Sequence, residues 1–102
     1  MNSSQQKVEE FIRENNLEGT TAFRILDLMS EIGEIASDAA KSTDYGLSEE
    51  ELEVKEDEIG DALFSLLAVA IDLDVNAEDA LEKSLEKYSE RIQDSGSPGS
   101  DH

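Results

Sequence analysis

Between Ala62 and Ile71 the chain carries ten consecutive residues of which only Ser65 is polar. A helix of that composition is apolar on every side, and such a helix is buried on every side. A lone bundle of four short helices offers too little cover for it. The segment therefore calls for a second subunit packed over it. At about half the length that spans a bilayer, it excludes a transmembrane reading.

The rest of the chain is the opposite in character. Its 102 residues hold 26 acidic and 8 basic side chains, for a net charge of −18. The length suits one domain with one modest core. The charge argues against nucleic acid or an anionic membrane as partner. There is no cysteine, so neither disulfides nor thiolate metal sites enter. The opening Met1-Asn2-Ser3-Ser4 lacks the basic and apolar regions of a signal peptide, and the expectation is a soluble, cytoplasmic protein. Self-repulsion at this charge density falls away when salt shortens the Debye length to roughly 3 Å near 1 M, so the composition suits a halophilic source.

Periodicity predicts four helices and no strand. The first spans about Gln5 to Asn15, with Ser4 as N-cap and Val8, Phe11 and Ile12 as its stripe. The second follows Thr20 or Thr21 and runs to about Lys41, its core side formed by Ala22, Ile25, Leu26, Met29, Ile32, Ala36 and Ala39. A turn covers Ser42 to Leu47. Ser48-Glu49-Glu50-Glu51 reads as a capping box opening the third helix, which runs to about Asp72. Asn76 caps the fourth, with Asp79 at the reciprocal position, and that helix ends near Gln93. Residues 1–93 form the domain. Residues 94–102 contain no apolar side chain and are expected to be a disordered tail.

One phrase occurs twice. Glu31-Ile32-Gly33-Glu34 returns 27 positions later as Glu58-Ile59-Gly60-Asp61. Each copy sets two carboxylates three residues apart, on one helical face. Two such helices packed together bring four anions to one spot, and anions so clustered call for a cation. Hard divalent ions such as Mg²⁺ take oxygen ligands of this kind. Both pairs sit at the border of an apolar stripe, where an uncompensated carboxylate is costly. Ser65 and Ala68 continue the face of Glu58 and Asp61 and could floor a pocket beside the metal. Against this, a chain so acidic produces the Glu-x-x-Glu spacing by chance, as Glu49, Glu50, Glu53 and Glu56 illustrate.

Glu-x-x-Glu followed after 23 residues by Glu-x-x-Asp resembles the MazG-like all-α nucleoside triphosphate pyrophosphohydrolases. The segment from Asp57 to Leu67 is similar to that family's third helix. Ala80 to Lys83 and Lys87 to Ile92 are similar to its fourth. The likeness covers roughly Ala22 to Ile92. It implies an all-α, antiparallel four-helix bundle assembling as a dimer or a dimer of dimers, hydrolysing nucleoside triphosphates to monophosphate and pyrophosphate. It further implies Glu31, Glu34, Glu58 and Asp61 as ligands of Mg²⁺, with Mn²⁺ as a substitute. Lys87 and Arg91, and more weakly Lys83, would face the phosphates.

The chain departs from the family at Ser30, where many members carry a further glutamate, and at Ala68 and Leu85, where some carry asparagines. It has no tryptophan for base stacking, leaving Phe23, Tyr45 and Tyr88 as aromatic candidates, of which Phe23 and Tyr88 read better as core or border residues. These departures sustain an alternative: a non-catalytic nucleotide-binding or protein-interaction module with a degenerate site. A purely structural acidic bundle, a mimic of nucleic-acid charge, is opposed by the cations of the fourth helix.

Overall fold

The computed structural model describes residues 3–96. They form four α-helices: α1 (Ser3–Glu14), α2 (Thr21–Ser42), α3 (Glu56–Asp72) and α4 (Ala77–Ser95), with a single 3₁₀ turn at Glu49–Glu51. No strand occurs among the described residues. None of the helices is long and apolar enough to cross a membrane.

Local chemistry explains most of the boundaries. Thr20 caps α2, its hydroxyl accepting from the Phe23 backbone nitrogen at 3.2 Å. Asn76 caps α4 in the same way, through Asp79 N at 3.0 Å. Gly96, with φ +79°, ends α4 in the left-handed conformation that glycine adopts without strain. Helix α4 thus runs two residues past Gln93, and residues 97–102 of the expected tail lie outside the described residues. Helix α1 begins at Ser3, so Ser4 lies inside it rather than capping it.

The third helix differs most from expectation. Ser48 opens only the 3₁₀ turn and makes no side-chain cap bond, and α3 starts eight residues later, at Glu56. Glutamates at 49, 50, 51, 53 and 56 would stand three and four apart on a continuous helix, and like charges at those spacings destabilise it. The extended stretch is pinned instead, with Glu53 N donating to Ser42 Oγ at 2.9 Å.

Helices α2 and α3 are antiparallel neighbours. Arg24 meets Asp72, Nε to Oδ2, at 2.8 Å; Ser65 Oγ lies 3.5 Å from Asp27 Oδ2; Asp38 meets Glu58. Partners rise along one helix as they fall along the other. Helix α1 packs on α3, where the Phe11 and Phe64 rings meet edge to face at 6.0 Å. Its Gln5 side chain spans the α3–α4 connection, donating to Val75 O at 2.8 Å and accepting from Ala77 N at 2.7 Å. Buried apolar side chains among the described residues are Ile12, Leu67, Ala68 and Val69. Ser65 and Ala68 are covered within the protomer, so neither floors an open pocket.

Helix α4 has no extended packing against α1, α2 or α3. Its stripe Leu81, Leu85, Tyr88 and Ile92 is exposed, as are Phe23, Leu26 and Met29 on α2 and Ile59, Leu63 and Leu66 on α3. Within the all-round apolar segment, Leu63 and Leu66 therefore remain exposed in a single chain.

Candidate metal centre

Four acids rise along one face of α2: Asp27, Glu31, Glu34 and Asp38, separated by four, three and four residues. That spacing keeps all of them on the side turned to α3. Glu31 is half-buried there. Its carboxyl is held above the ordinary value by partial loss of water, then by Glu34, Asp61 and Asp27. Every neighbour that acts on it is itself an acid. The fold thus places Glu34, on the same helix, and Asp61, on α3, within electrostatic range of Glu31.

Glu58 is held apart. Its Oε1 accepts the backbone N–H of Lys55 at 3.0 Å, which closes the first turn of α3. Its other neighbour is Asp38. The hydrogen bond to Asp38 raises the Glu58 carboxyl, the Lys55 N–H lowers it in part, and partial burial and the charges of Asp38 and Asp57 raise it further. Among the described residues, no three carboxylate, imidazole or thiol side chains converge on a single point.

Asp27 and Asp38 went unrecognised in the sequence, because the repeated phrase draws attention to its own two pairs. The signal was present: each lies four residues from a member of Glu31-x-x-Glu34.

The cations of α4 are not on this face within one chain. Lys83, Lys87 and Arg91 share one side of α4, and α4 does not pack along α2 or α3. Lys87 Nζ lies 5.2 Å from the centre of the Tyr88 ring, a cation–π contact within its own helix.

The sequence profile of the MazG nucleotide pyrophosphohydrolase domain matches residues 20–95. The chain belongs to that family. No curated protein and no solved structure matches it significantly. The matched span contains α2, α3 and α4 whole and leaves out only α1 and the extreme C-terminus.

In donor chemistry the face would suit a hard divalent ion: its side chains offer carboxylate oxygens, from two helices.

Proposed function

We propose that the protein hydrolyses (deoxy)nucleoside triphosphates to nucleoside monophosphate and pyrophosphate in a divalent-metal-dependent reaction. The observation that carries this reading is Glu31, a half-buried residue whose carboxyl is raised by partial loss of water and by the neighbouring charges of Glu34, Asp61 and Asp27. Acids set so close favour a divalent cation between them. Glu31, Glu34, Glu58 and Asp61 would hold Mg²⁺, or Mn²⁺ in its place. A bound ion there supplies a water of lowered pKa and neutralises charge on phosphoryl oxygens.

The chain's own residues do the rest. Asp38 and the Lys55 N–H fix the position of the Glu58 carboxyl at the first turn of α3. Lys87 and Arg91, with Lys83 a turn away, receive the departing pyrophosphate, where a positive clamp stabilises developing charge. Since α4 does not lie on its own α2 and α3, these cations serve the acids of a neighbouring copy. A homodimer or homotetramer covers the exposed stripes of α2, α3 and α4 and closes the four-helix arrangement. The net charge of −18 suits work in concentrated salt, in the cytoplasm, away from nucleic acid and membranes.

A second reading, a nucleotide-binding module without turnover, draws on Ala68, which is only 1% exposed and so offers a substrate nothing. Hydrolysis in ¹⁸O-labelled water with Mg²⁺ at high salt separates the cases. Label in the monophosphate, with pyrophosphate as co-product, is expected. Label in free phosphate with diphosphate rejects the proposed bond. No turnover across a nucleotide panel leaves the module.

A further inference from the structure

Helix α4 is joined to the rest of the protomer through one residue. Up to Val75 the connection belongs to the end of α3: Leu73 N donates to Val69 O at 3.0 Å, Asp74 N to Ile71 O at 3.1 Å and Val75 N to Ala70 O at 2.9 Å. From Ala77 the chain belongs to α4, with Ala80 N donating to Asn76 O at 3.0 Å. Between the two stands Asn76, at φ −79° and ψ 113°. Peptide planes are rigid, so these two angles set the direction in which α4 leaves. No extended packing of α4 on α1, α2 or α3 holds that direction.

The Gln5 amide holds it instead. Gln5 Nε2 donates to Val75 O at 2.8 Å, and Gln5 Oε1 accepts from Ala77 N at 2.7 Å. Val75 O lies in the peptide plane before Asn76, and Ala77 N in the plane after it. One flat side chain therefore grips both planes and fixes the joint between them. An amide carries the donor and the acceptor side by side, as this grip needs. Ala77 N is also one of the first-turn amides of α4 that no carbonyl of that helix can satisfy. Apolar packing does not replace the grip: a cleft of about 300 Å³ opens between α1 and the connection, with Gln5, Glu9, Ile71, Asp74 and Asn76 among its walls. Gln5 is anchored on α1, which packs on α3 through Phe11 and Phe64 and lies outside the 20–95 span of the family profile.

We infer that Gln5 is a positioning residue: its grip on the Asn76 joint aims α4 and so sets where Lys83, Lys87 and Arg91 meet the acids of a neighbouring copy. The inference rests on the functional reading above and adds to it the residue that points the cations. The lever is long. Arg91 stands about 22 Å along the helix from Asn76, so a turn of about 15° at the joint carries it about 6 Å. That displacement is about twice the length of a charge-assisted hydrogen bond.

Two variants test it. Gln5→Ala removes the grip, and Gln5→Glu keeps the acceptor for Ala77 N but loses the donor to Val75 O. The chain has no cysteine, so spin labels on Glu10→Cys and Gln93→Cys, exposed positions of α1 and α4, read the angle of α4 without background. Refolding labelled chain in excess unlabelled chain leaves one labelled chain per assembly. The distance distribution is expected to be narrow with Gln5 present, broad or displaced in Gln5→Ala, and between the two in Gln5→Glu. Calorimetry below the melting transition should show inorganic pyrophosphate binding in Mg²⁺ weakened about tenfold in Gln5→Ala, the scale of two ordinary hydrogen bonds. Mn²⁺ binding to the acids of α2 and α3 should be unchanged. An unchanged distance distribution in Gln5→Ala overturns the inference. Unchanged pyrophosphate affinity overturns it too, since a merely structural tie lowers the melting midpoint without moving that affinity, and so does equal loss of Mn²⁺ and pyrophosphate. A wild type that binds neither ligand brings down the functional reading, and the inference falls with it.

Discussion

Glu58 accepts the Lys55 backbone N–H at 3.0 Å while its carboxyl meets Asp38 of the neighbouring helix. One side chain closes the first turn of α3, ties α3 to α2 and is one of the proposed metal ligands. Two acceptors cannot satisfy each other without a proton between them, so the Asp38 contact works against Glu58 when both are ionised.

Replacing Glu58 by glutamine separates these roles. The amide oxygen still accepts from Lys55, and the amide nitrogen can donate to Asp38. The Glu58→Gln chain is expected to melt at a higher temperature than wild type at neutral pH without metal. It should bind Mg²⁺ or Mn²⁺ more weakly. Calorimetric melts with and without metal read both effects, and a lower metal-free midpoint would reject the account of the Asp38 contact.

Acidification should stabilise the metal-free protein. Glu31 and Glu58 are both raised from an ordinary value of 4.5. The folded chain then holds their protons more tightly than the unfolded chain does. Between 4.5 and the raised values, stability falls as pH rises and returns as pH is lowered. A melting midpoint higher at about pH 5 than at about pH 7.5, in chelator, is the expected result. Saturating Mg²⁺ at neutral pH should offset the difference by binding the ionised, folded form. A pH-independent midpoint would show that the acids of this face do not strain the fold.

Salt should act in the same direction as protons. With a net charge of −18, the midpoint is expected to climb with KCl at fixed pH as the Debye length shortens. A flat or falling midpoint would remove charge repulsion as the limiting term.

Much of this fold is written locally. Thr20 and Asn76 declare their helices because a cap needs only its own side chain and an N–H three residues on. The pairing of Glu31 with Asp61 follows from a spacing repeated on two helices that pack. Ser48 misled because a capping box is a local pattern, whereas the run from Glu49 to Glu56 is decided by charges that repel over a whole turn. Asp38 was hidden because its partner, Glu58, lies on another helix and outside any repeated phrase. Where α4 rests was not legible at all: its stripe of Leu81, Leu85, Tyr88 and Ile92 predicts a buried face without saying which chain buries it.

Gly33 and Gly60, the glycines of the repeated phrase, stand inside α2 and α3 with nothing within 4 Å of where a Cβ would be. Glycine in a helix interior costs about 0.5–1 kcal/mol relative to alanine. Gly33→Ala and Gly60→Ala should therefore each stabilise the protein by about that amount in urea titrations, since neither meets a steric barrier in the protomer. Stabilisation accompanied by a loss of turnover would assign the open glycine to close approach by substrate or by a second copy. Destabilisation would mean that another chain already packs against it.

The position of α4 leads to a test of where the phosphate cations act. Asp61→Ala removes an acid from the α2–α3 face, and Arg91→Ala removes a cation from α4. Each variant alone should be inactive or nearly so, with the helical signal retained. If Arg91 serves the acids of a neighbouring copy, unfolding and refolding the two variants together produces dimers in which one site has both its Asp61 and its Arg91 intact. Random pairing of equal amounts should then restore about a quarter of wild-type activity in a dimer of twofold symmetry. If Arg91 serves its own chain, every site in the mixture lacks one or the other and activity stays at the level of the separate variants. Recovery on mixing is the expected outcome, because α4 packs along neither α2 nor α3 of its own chain.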